Sequence, residues 1–434
     1  MKPLFLALYI CSIILLIYKS VKMVRGKQSL ELVMGLSLTF AMVPDFMIFD
    51  YLGLHISFAF VLLFSYVVPL LVFLSRSNGT IKIIRYEYKL WTFLVLLLIH
   101  AIFTLLVHTD ISSYYNSKLL SCLYSVVLYL FIVSIYQKDF VSCFEKYSDI
   151  ILIAIITYVF KNFYMAGIEN FRYIYETYLQ EYKNVIFASR ILGLGIIISI
   201  YMYQNTTKVK YIAISMLMLV QMIMLESRGP VISLVATMVL IWLLKKSKTK
   251  GIRKRLSANI KKIAIVLVVM VAIYYIVMYL YNNGFLNRFI YKYNYLKMGR
   301  KEDRNVLYST CLEILINSLP FGVGFGNTDI ALQSAGSTVI YNYPHNILLE
   351  VFMEDGIIVG IAFLWLVLSY VFLCIKGKAT PKKMLFVALM IFYLINSMFS
   401  GDIIGNNWVF IIGVFLNCFM NENHEMATEW KALH

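Results

Sequence analysis

Residues 89–107 read KLWTFLVLLLIHAIFTLLV. A run this long and this apolar can cross the ~30 Å hydrocarbon core of a bilayer as a single helix. Outward from it the pattern repeats. Apolar spans are readable at 3–18, 29–49, 53–74, 118–136, 148–165, 185–203, 209–225, 230–244, 262–282, 355–375, 384–399 and 403–420. Each approaches the ~20 residues a crossing requires, the short ones relying on their flanks. Helices satisfy their own backbone groups in lipid, so the expected fold is all-α. It is a polytopic transmembrane helical bundle of about 12–13 spans, with 1–434 forming a single integral membrane domain. The first run, 3–18, lacks the small-residue cleavage pattern of a signal peptide and reads as a retained helix.

Composition excludes a soluble alternative. Apolar residues make up 61% of the 434 positions, charged residues 14%, and the mean hydropathy is +0.78. Soluble domains carry roughly 45–50% apolar and about 25% charged residues, so lipid must cover part of this surface. The six cysteines, Cys11, Cys122, Cys143, Cys311, Cys374 and Cys418, are scattered without CxxC or metal-ligand spacing. No metal site and no cofactor are expected.

The net charge of +16 resolves into connections between spans. Basic residues cluster in 19–28, 75–89, 376–383 and, above all, the loop 245–261 with Lys245, Lys246, Lys248, Lys250, Arg253, Lys254, Arg255 and Lys261. Alternating spans put these on one side, whereas 108–116 and 400–402 hold no Lys or Arg. The positive-inside rule makes the basic side cytoplasmic, with the N-terminus outside and the C-terminus inside. The clusters act as insertion signals lying against anionic lipid, and no nucleic-acid partner is needed to explain them.

Two outer connections stand out. Residues 166–184 hold Phe171, Tyr173, Tyr175, Tyr178 and Tyr182, read as an interfacial aromatic belt before a sugar-stacking surface. Residues 283–354 form an outer loop much longer than a connection needs, and such loops are usually functional. Within it, Asn305 to Leu319 carries apolar residues at helical spacing and predicts a short interfacial helix, stopped by Pro320. Gly322, Gly324 and Gly326 follow. Alternate glycines allow backbone N–H groups to approach an anion, or simply make a tight turn. Then Pro344 predicts a helix start, with His345 and Asn346 in the anion-attracting first turn. Asn346, Glu350 and Glu354 share one face.

Charges between spans are the remaining candidates. Glu226-Ser227-Arg228-Gly229-Pro230 falls in a short outer turn, and Arg190 lies just inside its span. Unpaired charge at membrane depth costs roughly 2.5–3.5 kcal/mol on insertion scales. Either arginine could snorkel to headgroups instead, Arg228 with Glu226 as partner. Snorkelling is the favoured reading of Arg190 taken alone.

In order and spacing these pieces resemble the O-antigen ligase and polymerase family of bacterial surface-polysaccharide enzymes. The resemblance rests on Ser227-Arg228-Gly229 and on Arg304 ahead of Leu319-Pro320-Phe321-Gly322-Val323-Gly324-Phe325-Gly326. Its third piece is Pro344-His345-Asn346-Ile347-Leu348-Leu349-Glu350, with Gly356 and Gly360 beyond. It covers about residues 185–375. It implies a glycosyltransferase C-like membrane fold, about twelve spans, and a metal-independent glycosyltransferase in the cytoplasmic membrane with its site facing outward. The implied donor is an undecaprenyl-pyrophosphate-linked oligosaccharide, with a flippase and a chain-length regulator as further partners. Arg228, Arg304 and His345 match the family's functional arginines and histidine. Chemistry agrees: guanidinium forks neutralise a leaving pyrophosphate, and an imidazole can take a proton from the acceptor hydroxyl. Gly322, Gly324, Gly326, Asn346, Glu350 and Arg190 are the candidate substrate contacts, Glu350 to orient the histidine or the sugar. Polymerisation of repeat units into O-antigen or capsule is the favoured activity. Ligase-type transfer to another acceptor is second, and a lipid-linked sugar transporter is the competing class.

Overall fold

A computed structural model describes residues 2–43, 63–76, 87–166, 185–225, 227–244, 303–338, 340–376 and 379–419. The span expected at 262–282, the basic loop 245–261, Glu226, the tyrosines of 171–182 and the start of the long loop lie outside the described residues. Elsewhere the chain is helices and turns. Among the described residues, six helices are long and apolar enough to cross a membrane: Pro3–Arg25, Tyr88–Val107, Ser113–Ser142, Phe144–Met165, Val185–Thr206 and Ile347–Ile375. Shorter apolar helices occupy Ser29–Met42, Leu63–Val72, Lys210–Met224, Arg228–Trp242 and Trp408–Phe419, and a further helix runs over Pro381–Ser397. The protein is an all-α polytopic membrane protein.

Some helices begin at a side-chain cap that the sequence supplies. Ser112 accepts from the Tyr114 amide, and Thr380 from the Lys383 amide with Pro381 in the first turn. Packing inside lipid depends on close approach rather than on expelled water, so small residues matter. Gly193 lets Val185–Thr206 lie against Phe392, since a Cβ there would fall 2.3 Å from the ring. Gly413 does the same against Tyr370, at 2.2 Å. Between them a ladder of rings fills the centre: Phe93 with Phe363 at 5.2 Å and Phe386 with Phe415 at 5.3 Å.

The helices give the bundle two chemically distinct ends. Ser113–Ser142 starts beside Asp402 through Tyr114 and finishes where Lys382 reaches the Ser142 carbonyl. Val185–Thr206 carries Arg190 against Ser400 near its start and Tyr201 against Glu145 near its finish. Pro381–Ser397 begins among Lys382 and Lys383 and ends at Ser400. The turns 108–112, 319–327, 341–346 and 398–407 therefore gather at one end. Lys19, Lys146, Lys376 and Lys382 lie at the other, with Lys19 on Asp149 at 2.7 Å and Lys146 on Glu31 at 3.0 Å.

One element differs from its expected boundary. The predicted start at Pro344 moves to Ile347, with Asn346 as N-cap accepting from the Leu348 and Leu349 amides. The helix runs straight into the span expected at 355, broken only at Gly356, where φ is +75°. An Asx cap competes better than a proline start here because it satisfies two orphan amides at once.

Candidate functional site

The predicted interfacial helix exists as Asp303–Ser318. Leu307, Cys311 and Ile314 bury against Leu332 and Met353, while Leu312 and Ile316 face outward, 50% and 70% exposed. One side thus docks on Ile347–Ile375 and the other is left for lipid headgroups. Burial pushes the Cys311 thiol up to about 12, so it is an inert packing group.

After Ser318 the chain turns through the glycines, and all three amides are occupied by the protein itself. Gly322 N donates to Ser318 O, Gly324 N to Glu354 O, and Gly326 N to a Glu354 carboxylate oxygen at 2.7 Å. Thr328 Oγ1 donates to the other oxygen of Glu354 at 2.6 Å. The loop does hold an anion, but the anion is a side chain of the next helix. Glycine is required because Gly322, Gly324 and Gly326 all have φ between +72° and +96°. A Cβ on Gly322 would sit 2.4 Å from the Glu354 carbonyl. The turn is a splint against the Gly356 kink, where Ile357 N donates to Pro320 O.

Two residues no motif pointed to complete that splint. Lys118 is 1% exposed and binds Glu350 at 2.5 Å and Glu354 at 2.6 Å. His100 bridges Asp355 through Nδ1 and the Phe321 carbonyl through Nε2, each at 3.0 Å. A carbonyl oxygen can only accept, so Nε2 carries a proton. Thr104 Oγ1 accepts from the Phe325 amide, and Asn327 accepts from the Ser112 amide. The splint thus ties three helices to one turn.

His345 stands immediately ahead of the Asn346 cap in a left-handed conformation, φ +59°, uncommon for a residue with a Cβ. Tyr341 and Tyr343 hold its ring edge-to-face, with centroids 5.0 and 4.7 Å away. Its Nδ1 is buried and unpartnered. Burial first, then the fields of Arg304 and Arg190, lower its pKa to about 4 against the opposing field of Asp402. The imidazole is therefore neutral at pH 7. The neighbouring Tyr343 phenol is pushed up to about 12 by burial and by Asp402. His345, Arg304, Arg190, Tyr343 and Asp402 thus share one electrostatic neighbourhood.

Arg190 does not snorkel. It is 5% exposed, with Nη1 on Gly405 O at 3.0 Å and Nη2 on Ser400 O at 2.7 Å and Asn396 O at 3.3 Å. The carbonyls at the C-terminal end of Pro381–Ser397 suit a guanidinium, which meets both their lone pairs and the negative end of the helix dipole. Asp402, 6% exposed, accepts from Tyr114 Oη at 2.6 Å and from Gly405 N at 2.8 Å. Arg228 opens the helix Arg228–Leu244, whose Gly229 faces Phe399. Asn346 Nδ2 reaches the carbonyl of the adjacent Met398 at 3.3 Å. Gly229 and the Asn346 cap therefore border the same turn. Glu350 places one oxygen on Lys118 and leaves Oε2 buried and unpartnered.

Of the residues picked from sequence, His345 and Arg304 share the electrostatic neighbourhood of Arg190, and Arg228 opens a helix whose Gly229 faces the bordering turn. The glycines and Asn346 serve the backbone. Lys118, Asp402, Tyr114 and His100 were missed. Their signal was a polar side chain within or beside an apolar span, which membrane proteins rarely keep without a use.

Residues 213–364 match the family model described as O-antigen ligase. The match includes Arg228, Arg304, the glycine turn, His345 and Glu350, and leaves Lys118, Arg190 and Asp402 outside. No curated protein matches the chain significantly.

Proposed function

Since residues 213–364 match the family model described as O-antigen ligase, we propose that this membrane protein is an oligosaccharide repeat-unit polymerase. It joins undecaprenyl-pyrophosphate-linked units at the outer face of the bacterial cytoplasmic membrane. The observation that carries this reading is the open Nδ1 of a neutral His345 in the field of Arg304 and Arg190. Its position opposite the lysine-rich end supports an outward-facing site, because basic connections stay cytoplasmic.

The chemistry follows from those groups. The acceptor hydroxyl gives its proton to His345 Nδ1 as its oxygen attacks the anomeric carbon of the donor sugar. The bond from that carbon to pyrophosphate breaks, and the electron pair leaves on the phosphate oxygen. Arg304 and Arg228 meet the departing charge with bidentate forks, so no divalent ion is required. An arriving pyrophosphate offsets the guanidinium field that depresses His345 and makes the imidazole a stronger base once the donor is seated. Arg190 and Asp402 act through the turn 398–407, and Lys118 through the glycine splint; these are positioning residues.

Purified protein supplied with lipid-linked repeat units tests the assignment. A ladder of products, unchanged by EDTA, is the expected result. A single transfer to an added lipid A core or protein acceptor, without a ladder, makes the enzyme a ligase. Movement of units across a vesicle membrane with no new glycosidic bond makes it a transporter.

A further inference from the structure

At the lysine-rich end, a cavity of about 200 Å³ opens between the helices Tyr88–Val107, Ile347–Ile375 and Trp408–Phe419. Glu87, Lys89, Ser369, Tyr370, Lys376 and Asn417 contribute its polar groups. Three of its residues are ionisable, Glu87, Lys89 and Lys376, yet none pairs with another. Glu87 is 1% exposed and neither carboxylate oxygen has a hydrogen-bond partner; Trp91 and Ser134 lie near without closing a bond of ordinary geometry. The Tyr370 hydroxyl beside it is also buried and unpartnered. Lys89 lies 4.8 Å from the Trp365 ring centroid and Lys376 lies 5.2 Å from that of Phe372, and among the described residues neither ammonium meets a carboxylate. Outside the mouth, Leu368, Phe372 and Ile375 are 57%, 57% and 70% exposed, an apolar wall suited to acyl chains.

An unpaired carboxylate at this depth costs several kcal/mol, and two lysines left on aromatic faces gain only ~1 kcal/mol each. One ligand chemistry satisfies all three: a phosphodiester for the lysines joined to an N–H-bearing ammonium for the carboxylate. We infer that this cavity binds the headgroup of an aminophospholipid, of the phosphatidylethanolamine type, in the leaflet at the basic end of the bundle. The phosphate sits between Lys89 and Lys376, and the ammonium donates to Glu87. Ser369 and Tyr370 supply further hydroxyl groups, and the acyl chains run along Leu368 and Phe372. The site is independent of the chemistry proposed at the opposite end.

Full-length protein purified from vesicles of equal phosphatidylethanolamine, phosphatidylcholine and phosphatidylglycerol content, then weighed intact with retained lipid by native mass spectrometry, tests the inference. The ammonium of phosphatidylcholine has no N–H, so the wild type should retain phosphatidylethanolamine about tenfold over it, the worth of one charge-assisted hydrogen bond. Glu87→Gln should erase that preference while keeping some retention of both lipids. Lys89→Gln with Lys376→Gln should lower retention of both, and these partly exposed side chains guard against a Glu87 variant that fails to fold. Equal retention by the wild type, a preference for phosphatidylglycerol, or an unchanged preference in Glu87→Gln would each overturn the assignment. The last would mean that Glu87 is a neutral acid rather than the partner of an ammonium.

Discussion

The Lys118 cluster and the His345 cluster lie at the same end of the bundle, yet they are built on opposite rules. Around Lys118 the ammonium is met by two carboxylates, and Glu354 is further met by an amide and a hydroxyl. Around His345 the cations outnumber the one nearby carboxylate, a ring nitrogen is left open and the backbone is held left-handed. A network in which opposite charges meet rigidifies, because its ammonium and both of its carboxylates already have partners. An open one holds unmet capacity for a ligand, and the closed network supplies the rigidity that keeps it open. Substitutions should therefore separate cleanly, with those in the first cluster removing the fold and those in the second removing turnover.

The largest effect is expected at Lys118. Lys118→Met strands two buried carboxylates and should cost about 3–5 kcal/mol. The protein should fail to accumulate or melt far earlier in detergent, and adding Glu350→Gln and Glu354→Gln should restore part of the loss. Normal melting with lost activity would move Lys118 into the open cluster. Next comes Arg304→Ala, for which the rate should fall about 100-fold or more with melting unchanged. Arg304→Lys should recover only part of that rate, since a point charge lacks the fork. Third, Gly356→Ala places a Cβ 2.3 Å from the Pro320 carbonyl at a φ of +75°. It should destabilise by about 1–3 kcal/mol, read as an earlier melt.

The smallest effect is a pH dependence. The pKa of His345 lies near 4 in the folded protein against an ordinary 6.5. Between those values the unfolded chain binds the extra proton, so this residue's contribution is intact above 6.5 and is lost as pH falls towards 4. His345→Gln should shrink the drop in melting temperature between pH 7 and about 4.5. An equal drop would mean that the imidazole is not held neutral.

The difference between the clusters also explains what could be read from sequence. His345, Arg304 and the 305–319 helix were legible because each sits in a local pattern: a proline before a histidine, a cation before an amphipathic stretch, and a proline stop. Arg190 was visible as a charge, but its destination was not. Snorkelling and capping a distant turn cost the same one arginine in sequence, and only packing against Ser400 and Gly405 decides between them. The glycines were legible as a turn, whereas the anion they hold could not be foreseen, because Glu354 belongs to another helix. Lys118, His100 and Asp402 each stood alone in or beside an apolar span. Their meaning is pairwise, and their partners are hundreds of positions away.

The most direct test uses proteoliposomes loaded with lipid-linked repeat units, following undecaprenyl pyrophosphate released on forming each glycosidic bond. Wild-type protein should release it, and His345→Ala should reduce the rate by about 10²–10⁴-fold, the contribution of a general base, while melting unchanged. Undiminished release from a well-folded His345→Ala variant would contradict the account.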